Sequence, residues 1–303
     1  MVLAELRDRF PALDSWVIQA QGLLDPRRVL LAPEDEALHL AWCKQDGWEM
    51  AHVVLPPDLC RFGQPLNREA LGETIADLLL ERGITTAQGI VELLLPLAGC
   101  QWAVLTGPAA SDLQTGEDLR VLKPELPWSL SLQECYLDVV PLPEQDASLV
   151  VGAPRLHLQA WLDTLQEADL PVRRAEWLLL SAWRGLLVAH DGVDQRLVWL
   201  VEQAGRWRLL LLCDGCPQFD LTLKGSDIPS LQDEVLELVQ LWFDQAGAEV
   251  SSSAGLPGWW VTAAAHWRGQ WGALHDSRHG PLRSDAEMSL FQIALMAPLE
   301  ATR

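Results

Sequence analysis

The chain has 303 residues, of which 49% are hydrophobic and 21% charged, a composition typical of globular proteins with a sizeable core. Its formal net charge of −20 argues against nucleic acid as a partner, because phosphate binding needs clustered Lys and Arg. The same charge disfavours docking on an anionic membrane surface and leaves a basic peptide or protein as a favourable partner.

We expect a cytoplasmic protein that does not insert into the membrane. No stretch approaches the roughly 20 apolar residues of a membrane span, and the opening MVLAELRDRF lacks the apolar core of a signal peptide. The six cysteines are scattered, mostly in apolar runs, which is typical of reduced thiols. The 15 tryptophans are predicted to pack in the interior, because many lie within apolar runs; a Trp-rich carbohydrate binder is the alternative.

The first part of the chain reads as a strand meander followed by a helix. After a lead-in at 1–26, strands are predicted at 28–32, 37–43, 48–55 and 88–95, with turns at the acidic "PEDE" and at Asp46-Gly47. In "NREALGETIADLLLERG", Asn67 is placed as the helix N-cap, Glu69 in the first turn and Gly83 just after the end.

An inserted α+β stretch is predicted at about 97–170. Its strands are expected near 101–106, 119–123, 135–140 and 147–151, and the helix "RLHLQAWLDTLQEADL" closes it. A brief strand then runs into a helix in "VRRAEWLLLSAWRGL".

The remainder restarts with strands and ends with helices. Strands are predicted at 186–190, 196–202, 206–213, 218–223 and 247–251, and helices at 229–245, near 259–274 and near 284–297. The chain therefore has an approximate internal duplication, with a first half at 27–190 and a second at 187–303.

Three stretches of the sequence carry a resemblance to a known family. They are "DEALHLAWCKQDGWEMAHVVLPP" with the following helix, "LPWSLSLQECYLDVVPL", and "ASLVVGAPRLHLQAWLDTLQEADLPVRRAEWLLLSAWRGL". All three resemble segments of the PilM family of type IV pilus assembly proteins. Their order and spacing match the family over about residues 28–190. Over the rest of the chain only the order of predicted strands and helices is similar. The resemblance implies an actin-like ATPase fold of the ribonuclease H-like type, an α/β protein with mixed sheets. It has two related halves, with an inserted α+β subdomain in the first.

The resemblance also implies a function. PilM-like proteins are cytoplasmic adaptors that bind the N-terminal cytoplasmic peptide of PilN, a membrane protein, in a groove between the first subdomain and its insertion. Such a protein is recruited to the inner membrane through its partner and meets other pilus components there; homo-oligomerisation is left open. Trp102 and the segment 126–130 are candidate groove walls, with core packing as the alternative for each.

The nucleotide motifs of the family are altered in this sequence. The family's first phosphate loop resembles D-I-G-S-S-S-I-K, and the resemblance places Ala32 at its aspartate, Glu34 at its glycine and His39 at its lysine. Only glycine lets backbone amides approach a polyphosphate closely, and the acidic residues of "PEDE" repel it. We therefore predict an adaptor without ATP hydrolysis and without a cofactor; a working Mg-ATPase is the alternative.

The second and third nucleotide elements are equally weak. In the second loop Gly192 matches only after a shift that puts His190 at the aspartate, so Asp191 and Gly192 are cofactor-binding candidates only if nucleotide binding is retained. The third, a Gly-Gly pair, has a faint counterpart in "SSSAGLPGWW". A GspL-like component of a type II secretion system is a further alternative, for which a membrane helix after the module is expected.

Two further clusters are given structural interpretations. "CDGC" at 213–216 has metal-like spacing but lacks a second cysteine pair, so it is predicted to be a hairpin turn. His266, His275 and His279 are interpreted as part of a solvated helix end and loop, with a metal site as the alternative.

Overall fold

The computed structural model describes residues 26–44, 47–107, 110, 113–142, 147–189, 196–203, 205–225, 227–246, 257–263 and 288–297. The chain divides into two compact units, Met1–Trp177 and Leu178–Arg303. In the ranges given, no helix has both the length and the apolar character of a membrane span. All six cysteines lie in these ranges, and no disulfide joins any of them.

The first unit contains ten strands and three helices among its described residues. The strands are β1 (Arg27–Pro33), β2 (Ala37–Lys44), β3 (Gly47–Val54), β4 (Cys60–Arg61), β5 (Gln64–Pro65), β6 (Gly89–Leu95), β7 (Gln101–Thr106), β8 (Cys135–Leu142), β9 (Ala147–Pro154) and β10 (Val172–Trp177). The helices are α1 (Arg68–Glu81), α2 (Gly116–Leu122) and α3 (Arg155–Glu167), and a 3-10 turn spans Leu97–Gly99.

The main sheet of this unit has the strand order β10-β6-β1-β2-β3. Strand β2 is antiparallel to β1 and β3, whereas β6 and β10 run parallel to β1. The helix signals read from the sequence are confirmed: the Asn67 side chain accepts a hydrogen bond from the amide of Ala70, and Gly83 has the positive φ of a C-terminal stop. Gly72 lets α1 approach α3 closely, because a Cβ there would lie 2.8 Å from the carbonyl oxygen of Thr164.

The inserted module is a three-stranded antiparallel sheet, ordered β7-β9-β8, with α2 packed on it. Its core is small and apolar and consists of Leu113, Leu119, Val139 and Val150. The strand predicted at 119–123 is wrong, since these residues belong to α2 and its C-cap. Thr115 and Asp118 form a capping box that starts this helix.

Helix α3 is fixed to the β4–β5 hairpin through one carbonyl group. The imidazole of His157 and the indole of Trp161 both hydrogen-bond to the Gly63 oxygen, at 3.2 and 2.8 Å. Gly63 has φ +70°, and a Cβ there would lie 2.5 Å from a side-chain carbon of Pro96. Glycine is therefore required at the centre of this contact.

We predict that His157 makes the protein less stable on mild acidification. Burial, outweighing the hydrogen bond to Gly63, lowers the pKa of His157 below its usual 6.5. Below about pH 6.5 this histidine is protonated in the unfolded chain but stays neutral in the folded chain. The free energy of unfolding is therefore highest above about pH 6.5 and declines as the pH falls below that value. One histidine contributes at most about 1.4 kcal/mol per pH unit.

Denaturant unfolding between pH 8 and 5 tests this expectation. The conservative variant His157→Gln keeps a donor for Gly63 but cannot titrate, so its pH dependence should be shallower than that of the wild type below pH 6.5. His52 also has a lowered pKa and gives a background slope common to both proteins. Identical slopes in the two proteins would contradict the assignment.

The second unit contains a four-stranded sheet and three helices in its described part. Its elements are α4 (Leu178–Ala189), β11 (Arg196–Gln203), β12 (Arg206–Cys213), β13 (Cys216–Thr222), α5 (Ile228–Ala246), β14 (Gly258–Thr262) and α6 (Leu290–Met296). The strand order is β13-β12-β11-β14, with β12 antiparallel to both neighbours and β14 parallel to β11.

Four predictions for the second unit need correction, are confirmed only in part or lie outside the described residues. Residues 186–189 continue α4 and do not form a strand, and 258–262 form β14 where a helix was predicted from 259. The helix near 284–297 is confirmed only as Leu290–Met296, and the strand at 247–251 falls outside the described ranges.

The two sheets share one topology. In each, three antiparallel strands are followed by a helix and then by a strand that returns parallel to the first, β1-β2-β3-α1-β6 and β11-β12-β13-α5-β14. Most of the described tryptophans are buried in the cores of the two units, as the apolar runs predicted. Among the described residues the buried tryptophans are Trp42, Trp102, Trp161, Trp177, Trp183, Trp199, Trp207, Trp242, Trp259 and Trp260.

Candidate functional site

The turn between β1 and β2 is closed by its own contacts. The amide of Glu34 donates to the carbonyl oxygen of Ala37 at 2.8 Å, which turns the chain directly into β2. The carboxylate of Asp35 accepts a hydrogen bond from the amide of Phe62, in the β4–β5 hairpin. Both the Glu34 amide and the Asp35 carboxylate are thus engaged within the protein.

The three residues matched to the phosphate loop offer unusual chemistry for such a loop. Ala32 is fully buried and presents only a methyl group. Glu34 and His39 are half-buried, and the carboxylate oxygen Oε2 of Glu34 lies 2.9 Å from the ring nitrogen Nε2 of His39. The turn therefore offers a carboxylate and an imidazole where a phosphate loop offers glycine amides and an ammonium group.

His52 joins this pair from the neighbouring strand. It lies opposite His39 in the register of β2 and β3, and the two ring centroids are 4.7 Å apart. The candidate ligand atoms of Glu34, His39 and His52 all lie within 4.8 Å of one another. Burial, and then His39, lower the pKa of His52 against the opposing effect of Glu34, which favours a neutral imidazole at neutral pH.

Cys60 lies close to the same turn, but its thiol is unreactive. Its thiol is 3.8 Å from the carbonyl oxygen of Glu34. Burial, together with the nearby carboxylate of Asp35, raises the pKa of Cys60 to about 12, against the opposing effect of a hydrogen bond from the backbone of Gly63. A thiol that stays protonated at neutral pH is a poor nucleophile, so it does not form a catalytic group here.

The second-loop candidates lie outside the described residues. These are Asp191 and Gly192, together with His190. Most of "SSSAGLPGWW" and the histidines His266, His275 and His279 lie outside them as well. Their roles stay predictions.

"CDGC" forms a hairpin turn, as predicted. Cys213 and Cys216 are paired at the end of the β12–β13 ladder, and Asp214 and Gly215 between them have φ values of 50° and 75°. Two successive positive φ values are typical of a type I′ turn. Burial raises the pKa of Cys216 to about 11, so it is protonated at neutral pH.

The two candidate groove walls behave differently. Trp102 is buried and its ring meets that of Trp177 edge-on at 5.4 Å, so it serves packing between the module and β10. The segment 126–130 is partly exposed and is held by Gln101, whose side-chain amide exchanges two hydrogen bonds of 3.1 Å with Ser129. Trp128 packs against the module core from this segment.

The module also carries sheet edges that no described strand covers. Strands β7 and β8 are the outer strands of the module sheet. On β8 the side chains of Tyr136 and Val140 are 44% and 38% exposed, although both are apolar or aromatic. Such an edge is a template for pairing with an extended peptide.

The repeated strand-helix topology with a module inserted in its first copy defines the actin-like ATPase fold. Comparisons of structure confirm this class. The chain resembles a protein of the "PilM-PilN type IV pilus biogenesis complex" with a TM-score of 0.64 and 17% identity, over 89% of this chain and 97% of that chain. No protein-family model matches the sequence, and a comparison with curated proteins finds no match.

Two other solved structures share the fold. The cytoplasmic domain of EpsL, an inner-membrane component of the type II secretion system of Vibrio cholerae, has a TM-score of 0.54 and 15% identity, over 91% of this chain and 95% of that chain. A Bacteroides thetaiotaomicron protein of unknown function with an actin-like ATPase fold has a TM-score of 0.53 and 6% identity, over 90% and 96%. At these identities the likeness establishes the fold.

Proposed function

We propose that this chain is a cytoplasmic, PilM-like adaptor of type IV pilus assembly that binds the N-terminal peptide of a PilN-like membrane protein and does not hydrolyse ATP. The observation that carries the proposal is the likeness to the PilM-PilN complex over nearly the whole of both chains. The adaptor reaches the inner membrane through this partner, where it meets other pilus components.

The module supports a peptide-binding role. Its segment 126–130 contains half-buried Leu126, Trp128 and Leu130 beside exposed Pro127, which is the mixture expected of a groove wall. The formal charge of −20 favours a peptide that carries basic residues along with its apolar anchors. The edges of β7 and β8, which no described strand covers, offer backbone groups to an extended segment.

The β1–β2 turn supports the absence of hydrolysis. A polyphosphate at this turn would meet the carboxylates of "PEDE" in place of glycine amides, and Ala32 offers no group to anchor a metal ion. The alternatives are a working actin-like ATPase and a secretion component like EpsL, the latter supported by the similarity to its cytoplasmic domain.

A thermal-shift titration with two ligands tests the proposal. The purified chain is titrated with MgATP and, separately, with the N-terminal cytoplasmic peptide of PilN from the same organism. A ligand at 100 times its dissociation constant adds about 2.7 kcal/mol of stability, which raises the melting temperature by roughly 5 °C or more for units of this size. We expect this shift with the peptide and none with MgATP.

Two variants localise the binding. Leu130→Asp places a charge in the segment 126–130 and should lower the affinity for the peptide by at least about tenfold. A few apolar anchor residues carry most of the binding energy of an interface, and Leu130 is the anchor proposed here. Val54→Asp is the control, because Val54 is 73% exposed on β3, outside the module. A shift with MgATP and none with the peptide would overturn the adaptor proposal in favour of an ATPase.

A further inference from the structure

The β1–β2 turn and the edge strand β3 bring together three side chains that are good metal ligands. Glu34 comes from the turn, His39 from β2 and His52 from β3. The two histidines are directly opposed in an antiparallel ladder, which holds both imidazoles on one face of the sheet. The Glu34 amide is tied to Ala37, which fixes where the carboxylate leaves the backbone.

The spacing needs little adjustment to hold an ion. Ligand atoms of a tetrahedral zinc site lie about 3.3 Å apart, given zinc–ligand distances of about 2.0–2.1 Å. Here the Glu34–His39 pair is at 2.9 Å, and all three ligand atoms lie within 4.8 Å. His52 is exposed, so its ring can rotate towards the other two without disturbing the core.

We propose that Glu34, His39 and His52 form a binding site for a divalent transition-metal ion of the zinc class, with the remaining position open to water or to an external ligand. Two imidazoles and one carboxylate make a donor set that Zn²⁺ accepts readily. Mg²⁺ prefers an all-oxygen octahedral shell and should bind poorly here. The neighbour Ala32, opposite His39 on β1, adds no competing ligand.

The site is independent of the adaptor role. It depends only on the turn and the β2–β3 ladder, whereas the residues proposed to contact the peptide, in the segment 126–130 and at the edges of β7 and β8, belong to the inserted module. A failure of peptide binding therefore leaves the metal site intact, and the reverse also holds.

Calorimetric titration of the full chain with Zn²⁺ tests the proposal, followed by titration with Co²⁺ read by visible absorption. We expect one strong Zn²⁺ site per chain, a Co²⁺ spectrum of low coordination number, and no competition from millimolar Mg²⁺. His52→Asn and Glu34→Gln should each weaken Zn²⁺ by more than about tenfold, since even outer-shell changes cost 10–100-fold.

A matched control separates this site from the other histidines of the chain. His279→Asn removes a histidine outside the described residues and should leave zinc affinity unchanged. The exposed position of His52 makes misfolding of His52→Asn a minor concern, and its circular dichroism should match the wild type. The proposal is overturned if no Zn²⁺ binds, or if His279→Asn abolishes binding while His52→Asn retains it.

Discussion

Replacing Gly185 by alanine is expected to lower the free energy of unfolding by about 3 kcal/mol, although alanine is the better helix former by about 1 kcal/mol. Gly185 lies in α4, where a Cβ would be 1.9 Å from the carbonyl oxygen of Ile293 in α6 and 2.9 Å from its carbonyl carbon. These are backbone atoms, so no rotamer change relieves the clash and the two helices must separate.

Thermal and urea unfolding monitored by circular dichroism measure this effect. For a unit of this size, a loss of about 3 kcal/mol corresponds to a melting temperature lower by roughly 10 °C. Val188→Ala is the matched control on the same helix, because Val188 is 49% exposed and its truncation should change stability by less than about 0.5 kcal/mol. If Gly185→Ala is as stable as the wild type, the close α4–α6 contact does not exist.

Local sequence signals were sufficient for most of the first unit. The hairpin at the acidic turn, the Asn67 cap and the Gly83 stop all appear where the residues predicted them, because each depends on neighbours within a few positions. The turn in "CDGC" was likewise predicted from its local residues, and the structure confirms it. The repeated order of elements then led to the actin-like fold, which the structural neighbours confirm.

The incorrect elements have identifiable physical causes. The strand expected near 119–123 lies in helix α2, whose start is marked in the sequence by the capping-box residues Thr115 and Asp118. Strand β14 is buried along its whole length and pairs with β11 in parallel, so its residues show no alternation. Periodicity alone does not separate such a strand from a buried helix.

The candidate metal site was missed for a different reason. His39 was singled out but His52 was not, since their pairing depends on the register of β2 and β3. The sequence favoured a turn at Asp46-Gly47, whereas the ladder closes with Lys44 opposite Gly47. A shift of one residue in a hairpin turn changes every cross-strand pair. The turn predicted from the sequence therefore did not place His39 opposite His52.

The second large effect concerns Glu92, a buried acid between the outer strand β10 and the central strand β1 of the main sheet. Glu92 is 2% exposed in β6, and its carboxylate lies 2.6 Å from the guanidinium of Arg28 in β1 and 3.2 Å from that of Arg174 in β10. One carboxylate therefore connects the three parallel strands. Glu92→Leu should cost about 3 kcal/mol, because it leaves the half-buried Arg28 without its partner.

Comparison of single and double variants isolates the ion pair. Arg28→Leu alone leaves the Glu92 carboxylate with Arg174, and Glu92→Leu alone leaves Arg174 with Glu176, which lies 3.5 Å away. The double variant removes both charges and should cost less than the sum of the single costs by at least about 1 kcal/mol. Glu73→Leu, at an exposed position of α1, is the control and should stay within about 0.5 kcal/mol of the wild type.

Salt dependence distinguishes this pair from the acidic surface. Repulsion among surface acids is screened by added salt, so the wild type, with a net charge of −20, should gain stability between 0.1 and 1 M salt, over which the Debye length falls from about 10 to 3 Å. The Glu92 carboxylate is buried and Arg28 is half-buried, so salt should screen this pair little and its contribution should be similar at both ends of the range. The cost of Glu92→Leu is thus expected to stay constant as the salt rises. A cost that disappears in high salt would mean that Glu92 acts as a surface charge and that the three strands are held together by apolar packing alone.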